Sequence, residues 1–141
     1  MPFDYEYWRD ESRDDWRRLG LHWHAYVSRM DGGAFADEAA RRDLMTDLAP
    51  QSVRDWLRKP ARSLRQVTTT PEDAVGWLHR QWEPIKAQAG QEAVRIPEQT
   101  RFGLALYELR CGNDLCWGFW LGASVHLHLA LVGTADDCHP R

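Results

Sequence analysis

The sequence predicts a single α+β domain over residues 1–141. N-terminal helices pack on a C-terminal three-stranded antiparallel meander, and residues 21–28 are a candidate added strand. Apolar residues recur at helical spacing through much of the first two-thirds of the chain. After residue 90 the pattern changes to short apolar runs that flank a turn signal. With 141 residues, 43% hydrophobic and 28% charged, the chain has the size and composition of one globular domain.

The first two predicted elements are a helix and a strand. Residues 4–18 are expected to be helical because Trp8, Ser12 and Trp16 fall on one stripe, and Gly20 can end the helix. In residues 21–28 the period becomes two. Leu21, Trp23, Ala25 and Val27 alternate there with His22, His24, Tyr26 and Ser28. This alternation predicts a strand with one apolar face and one face that carries histidines.

Three helices are predicted in the middle of the chain. Residues 35–48 place apolar side chains at helical spacing, and a second helix over residues 51–59 is stopped by Pro60. A third helix begins after Thr70, whose hydroxyl can cap it, with Pro71 at the first position. Proline 84 is expected to break that helix.

The meander is predicted from residues 101–110, 115–121 and 124–133. Asn113 and Asp114, after a glycine, form a hairpin turn signal between the first two of these runs. Residues 133–141 are polar and are expected to form a loose tail.

Charge and cysteine content limit the compartment and the partners. The net charge of −3 opposes general attraction to nucleic acids or to membranes. No apolar run approaches the ~20 residues that are needed to span a bilayer. Three cysteines, an odd number, do not indicate a secreted disulfide scaffold. The cytoplasm is therefore the expected compartment.

Four of the six histidines form two H-x-H pairs, His22 with His24 and His126 with His128. On a strand, residues i and i+2 share a face and lie ~6–7 Å apart, so their rings can converge on one ion. Neutral imidazole binds zinc, copper, iron or nickel. If the two strands were adjacent, all four histidines could form one site, and a divalent transition metal such as zinc would be the implied cofactor.

A second hypothesis is a binding surface rich in tryptophan and acid. The chain has eight tryptophans, and its N-terminal segment interleaves aromatic with acidic residues. Such a surface suits a protein partner or an aromatic-compatible ligand, as in inhibitor-like or immunity-like proteins. The residues expected to form it are Tyr5, Tyr7, Trp8, Asp10, Asp14, Trp16, Trp117 and Trp120.

A third hypothesis is contact with DNA. Residues 41–65 hold seven basic and three acidic residues. The helices predicted over 35–48 and 51–59 could form a helix-turn-helix, with Arg54, Arg58 and Arg62 facing phosphates. The overall charge of the chain makes nucleic acid the least favoured partner.

The sequence contains none of the common catalytic or nucleotide-binding motifs, such as G-x-G-x-x-G, a Walker loop, G-x-S-x-G or H-E-x-x-H. Sequence alone therefore favours a small non-catalytic binding protein over an enzyme. A multi-histidine metalloprotein is the alternative, and a DNA-binding protein is the second alternative.

Overall fold

The structure is a computed structural model that describes residues 14–135, the side chain of Glu92 excepted. Its strands are β1 (His22–Asp31), β2 (Gln66–Thr68), β3 (Leu115–Leu121) and β4 (Val125–Thr134). Its helices are α1 (Asp15–Arg18), α2 (Gly32–Ala36), α3 (Glu38–Arg42), α4 (Pro71–Trp82), α5 (Gly90–Arg95) and α6 (Glu98–Arg110). Two 3₁₀ helices span Val53–Arg58 and Ala61–Ser63. Each described helix is too short or too polar to cross a membrane.

The four strands form one antiparallel sheet in the order β2-β1-β4-β3. The predicted α+β class and the added strand at residues 21–28 are confirmed. Strand β1 pairs along its whole length with β4 and lies inside the sheet, whereas β2 and β3 are the two edge strands.

One face of the sheet packs on α4 and α6 and forms the larger hydrophobic core. The predicted apolar faces of both histidine-bearing strands lie here: Trp23 and Ala25 of β1, and Leu127, Leu129 and Leu131 of β4, are buried. Helices contribute the other large side chains of this core, including Trp77, Leu78, Trp82, Phe102, Leu106 and Leu109. Period-two patterning therefore identified the core face of both strands correctly.

The opposite face of the sheet, which carries the histidines, is covered rather than open to solvent. The chain between α2 and β2 covers it and forms a second, smaller core. The buried members of this core are Tyr26, Met30, Ala49, Trp56, Ala130 and Val132. Two hydrogen bonds of Ser28 Oγ join the covering segment to the sheet. The hydroxyl donates to Asp47 O and accepts from Ala49 N. The sheet is therefore the central layer between helices and an irregular covering segment.

Residues 101–110 were predicted to be a strand but form most of helix α6. The buried side chains Phe102, Ala105, Leu106 and Leu109 follow the i, i+3, i+4, i+7 spacing of a helix face. The helix ends in a Schellman motif in which Gly112 has a φ of +88°, so the predicted turn joins a helix to β3. The C-terminal meander thus contains two strands, and β1 takes the third position.

The predicted helix-turn-helix does not form. Residues 35–48 contain only the end of α2 and the short helix α3, which Asp37 separates because its carboxylate caps Ala40 N. Residues 51–59 form a 3₁₀ helix rather than an α-helix. The prediction over residues 35–48 relied on apolar spacing, which does not show that the Asp37 carboxylate starts a new helix instead of continuing the first one.

The predicted start and end of helix α4 are confirmed. Thr70 Oγ1 accepts from Asp73 N, Pro71 is the first residue, and the helix ends at Trp82 before Pro84. Of the helix predicted over residues 4–18, only α1 lies in the described range. Residues 133 and 134, which were predicted to belong to a loose tail, are the end of β4. Residues 136–141 lie outside the described residues.

Candidate functional site

All four paired histidines lie on the covered face of the sheet, but the register of β1 and β4 separates the two pairs. His24 is opposite Val132, and His128 is opposite Ser28. The pairs are therefore offset by four residues, or about 13 Å at ~3.3 Å per residue. Within residues 14–135 no group of three His, Cys, Asp or Glu side chains is placed to hold a metal ion.

The His22 and His24 rings approach each other closely. Their Nε2 atoms are 3.2 Å apart, and His24 Nδ1 lies 3.1 Å from the Tyr26 hydroxyl. Tyr26 in turn stacks on Trp56, with ring centroids 4.7 Å apart. This end of β1 therefore carries a chain of polar contacts that leads into the second core.

His128 is a structural residue of the second core. It is 6% exposed, and its Nε2 accepts from Trp56 Nε1 at 3.1 Å, which places the proton of the neutral ring on Nδ1. Burial first, then His126 and Arg41, lower the pKa of His128 to about 4. Cys116 is an exposed residue, but desolvation of its thiol beside His128 raises the pKa of that thiol, whose Sγ lies 3.6 Å from Nδ1. Both groups are thus held neutral, which is opposite to an activated thiolate.

The residues that were predicted to form a partner surface differ in their exposure to solvent. Tyr5, Tyr7, Trp8 and Asp10 lie outside the described residues, and Asp14 is exposed. Trp16 packs against buried Trp23, and half-buried Trp117 packs against the larger core. Trp120 is 41% exposed. Trp56, Trp77 and Trp82 are also core residues.

The three arginines predicted to meet phosphates are engaged within the chain. Arg54 Nη1 contacts Asp114 and donates to Gly133 O. Arg58 contacts Asp55, and Arg62 donates to Met45 O. Arg62 belongs to a separate 3₁₀ helix, so the three side chains do not share one helix face.

Strand β3 has an edge position that sequence reasoning did not identify. Its outer side, here called the β3 edge (Leu115–Leu121), has no strand partner in the described part of the chain. The strand reads LCWGFWL, with no charged residue and no proline. Lysine, proline, bulges or short length normally protect such edges against pairing with other chains. The opposite edge strand, β2, has that protection, since it is only 3 residues long.

An aromatic cluster stands at one end of the β3 edge. The Trp120 ring lies 5.2 Å from Phe35 and 5.1 Å from His126, centroid to centroid. The His126 ring also covers Gly118, because a Cβ at that position would lie only 2.8 Å from His126 Nε2. Glycine is therefore needed at position 118 for this arrangement. Trp120 is the most exposed aromatic residue of the cluster.

A groove of about 470 Å³, here called the β3 groove, runs beside the strand. Gly118, Phe119 and Trp120 line one side, Gln91 and Ala93 line the α5 side, and Arg101 of α6 also lines it. This volume lies in the range of ligand-binding clefts. The lack of charge at residues 115–121 is visible in the sequence, but only the strand order shows that these residues form an edge strand.

The chain matches no family model, no curated protein and no solved structure.

Proposed function

We propose that this protein acts in the cytoplasm by binding another protein, whose extended segment pairs with the β3 edge. The observation that carries the proposal is an edge strand of 7 residues without a charge or a proline. An extended peptide that adds to such an edge gains affinity from backbone hydrogen bonds and specificity from alternate side chains. The protein would act by occupying its partner rather than by catalysis.

The side chains around the β3 edge suit this role. Cys116, Gly118 and Trp120 are exposed on one side of the strand, while Phe119 is buried on the other. Tryptophan is enriched among residues that dominate binding energy at interfaces. Trp120 is braced by Phe35 and His126, so it loses little conformational freedom when a partner packs on it. We therefore assign Trp120 as the anchor residue of the interface.

The test uses a displayed library of short random peptides, selected on the wild-type protein. We expect selected peptides to bind Trp120→Lys at least about tenfold more weakly, because an edge lysine opposes strand pairing and the aromatic anchor is lost. Leu104→Lys is the matched control, since Leu104 is 45% exposed and Trp120 is 41% exposed. Affinity for the control should stay within about twofold. Equal affinity for Trp120→Lys, or no selected binder at all, would contradict the proposal.

A second candidate function is metal binding by His22 and His24 alone. The 3.2 Å distance between their Nε2 atoms favours it, because two convergent imidazole nitrogens can chelate one ion once the proton between them moves to the Nδ1 atom of its ring. We expect zinc titration to release heat with the wild type and not with His22→Ala. His79→Ala, on helix α4, is the control that should keep the wild-type heat. Identical titrations of wild type and His22→Ala would remove this candidate.

A further inference from the structure

Arg101 lies in an unusual environment for an arginine. Its guanidinium carbon is 5.1 Å from the Trp82 ring, 5.4 Å from Trp117 and 5.2 Å from Phe119. Its Nη2 donates to Ala93 O at 2.8 Å, and its Nε is buried without a hydrogen-bond partner in the described part of the chain. Among the side chains that the structure describes no carboxylate pairs with it, whereas Arg54 and Arg110 each contact an acidic side chain.

The half-buried guanidinium of Arg101 loses hydration, and no opposite charge among the described side chains compensates for that loss. Burial lowers the pKa of Arg101, and no acidic neighbour opposes that effect. Cation–π contacts with three aromatic rings offset part of the desolvation, but rings do not supply the acceptor that a buried N–H requires. An anion that entered the β3 groove would supply both the charge and the acceptor.

Arg101 lies where a side chain of a strand paired with β3 could reach it. Trp117 and Phe119 share the core side of β3, and the Arg101 guanidinium lies against both rings. In an antiparallel pair, the residue directly opposite Phe119 would point to that same side, with its Cβ ~5 Å away. A Glu or Asp side chain on such a residue would therefore extend toward the guanidinium.

We propose that the β3 edge selects partner segments that carry an acidic side chain opposite Phe119 or Trp117, and that Arg101 binds this carboxylate. This inference rests on the proposed function and adds the chemistry of the partner. Arginine is suited to this role because its planar fork matches the two oxygens of a carboxylate.

A second copy of this chain does not meet the requirement. Two identical strands that pair antiparallel about a two-fold axis place odd-numbered residues opposite odd-numbered ones, because opposite residues share a face. Strand β3 contains no acidic residue, and the nearest one, Asp114, has even parity and already contacts Arg54. A symmetric dimer through this edge would therefore offer Arg101 no carboxylate from the paired strand.

The first experiment compares each selected peptide with its Glu→Gln or Asp→Gln counterpart on unmodified protein. We expect the acidic peptides to bind at least about tenfold more tightly, as for a charged hydrogen bond. The preference should shrink in Arg101→Gln and persist in Arg54→Gln, the matched control. Peptides that need Trp120 yet bind equally well in both forms would overturn the acidic preference and leave the proposed function standing.

An independent measurement does not depend on any peptide. The NMR signal of Arg101 Nε–H is followed while sodium acetate is added, with sodium chloride as the control for ionic strength. We expect a saturable shift of this signal with acetate and a smaller shift with chloride, which lacks the paired oxygens of a carboxylate. The same signal unchanged by acetate would contradict a carboxylate site at Arg101, whether or not peptides bind the β3 edge.

Discussion

Trp56→Ala is expected to lower the free energy of unfolding by about 3–5 kcal/mol. Trp56 is 1% exposed, stacks on Tyr26 and donates to His128 Nε2. The substitution would remove the largest side chain of the second core and leave a buried histidine nitrogen without its donor. Urea unfolding followed by circular dichroism measures the change.

Trp56→Phe separates the two contributions. Phenylalanine keeps an aromatic ring against Tyr26 but lacks the N–H group, so we expect a loss of about 1–3 kcal/mol. A loss below about 1 kcal/mol for Trp56→Ala would show that the segment between α2 and β2 does not form a true core on the sheet. The fold described here would then be wrong on that face.

Acid is expected to destabilise the protein through His128. The unfolded chain binds a proton at an ordinary histidine pKa near ~6.5, whereas the folded protein holds the pKa of His128 at about 4. Between these values the unfolded state carries more protons, so stability falls as the pH decreases. The full difference corresponds to about 3 kcal/mol, present above pH ~6.5 and lost as the pH falls toward ~4.

The measurement is the free energy of unfolding at several pH values between ~7 and ~4. His128→Gln is expected to be less stable at neutral pH but to depend less on pH across this window, because glutamine does not titrate. If the variant and the wild type lose stability in parallel, another group causes the acid sensitivity and His128 is not held neutral in the way described.

The parts of the fold that the sequence predicted correctly are those with a strong local signal. Alternation over β1 and β4 identified both strands and their core faces, and Thr70 with Pro71 marked the start of α4. Helix α6 was missed because Phe102, Leu104 and Leu106 also fit a period of two. The helical spacing of Phe102, Ala105 and Leu109 favours a helix over a strand only because these side chains pack against α4, which the local sequence does not show.

Long-range geometry explains what the sequence could not predict about the candidate site. The two H-x-H motifs face the same side of adjacent strands, which was a condition of the four-histidine hypothesis, but their relative register depends on the whole β1–β4 ladder. Likewise, no local pattern indicates that β3 is an edge strand. Nor does any local pattern show that Arg101, among many arginines, lacks a carboxylate partner in the described part of the chain.

In the proposed function the β3 edge pairs with an extended segment of a partner. Amide hydrogen exchange of the full chain, with and without a selected peptide, tests this pairing most directly. We expect alternate amides of Leu115–Leu121 to become protected when the peptide binds, while those of the other edge strand, Gln66–Thr68, do not change. Protection elsewhere, with the exchange of β3 amides unchanged, would contradict pairing at the β3 edge.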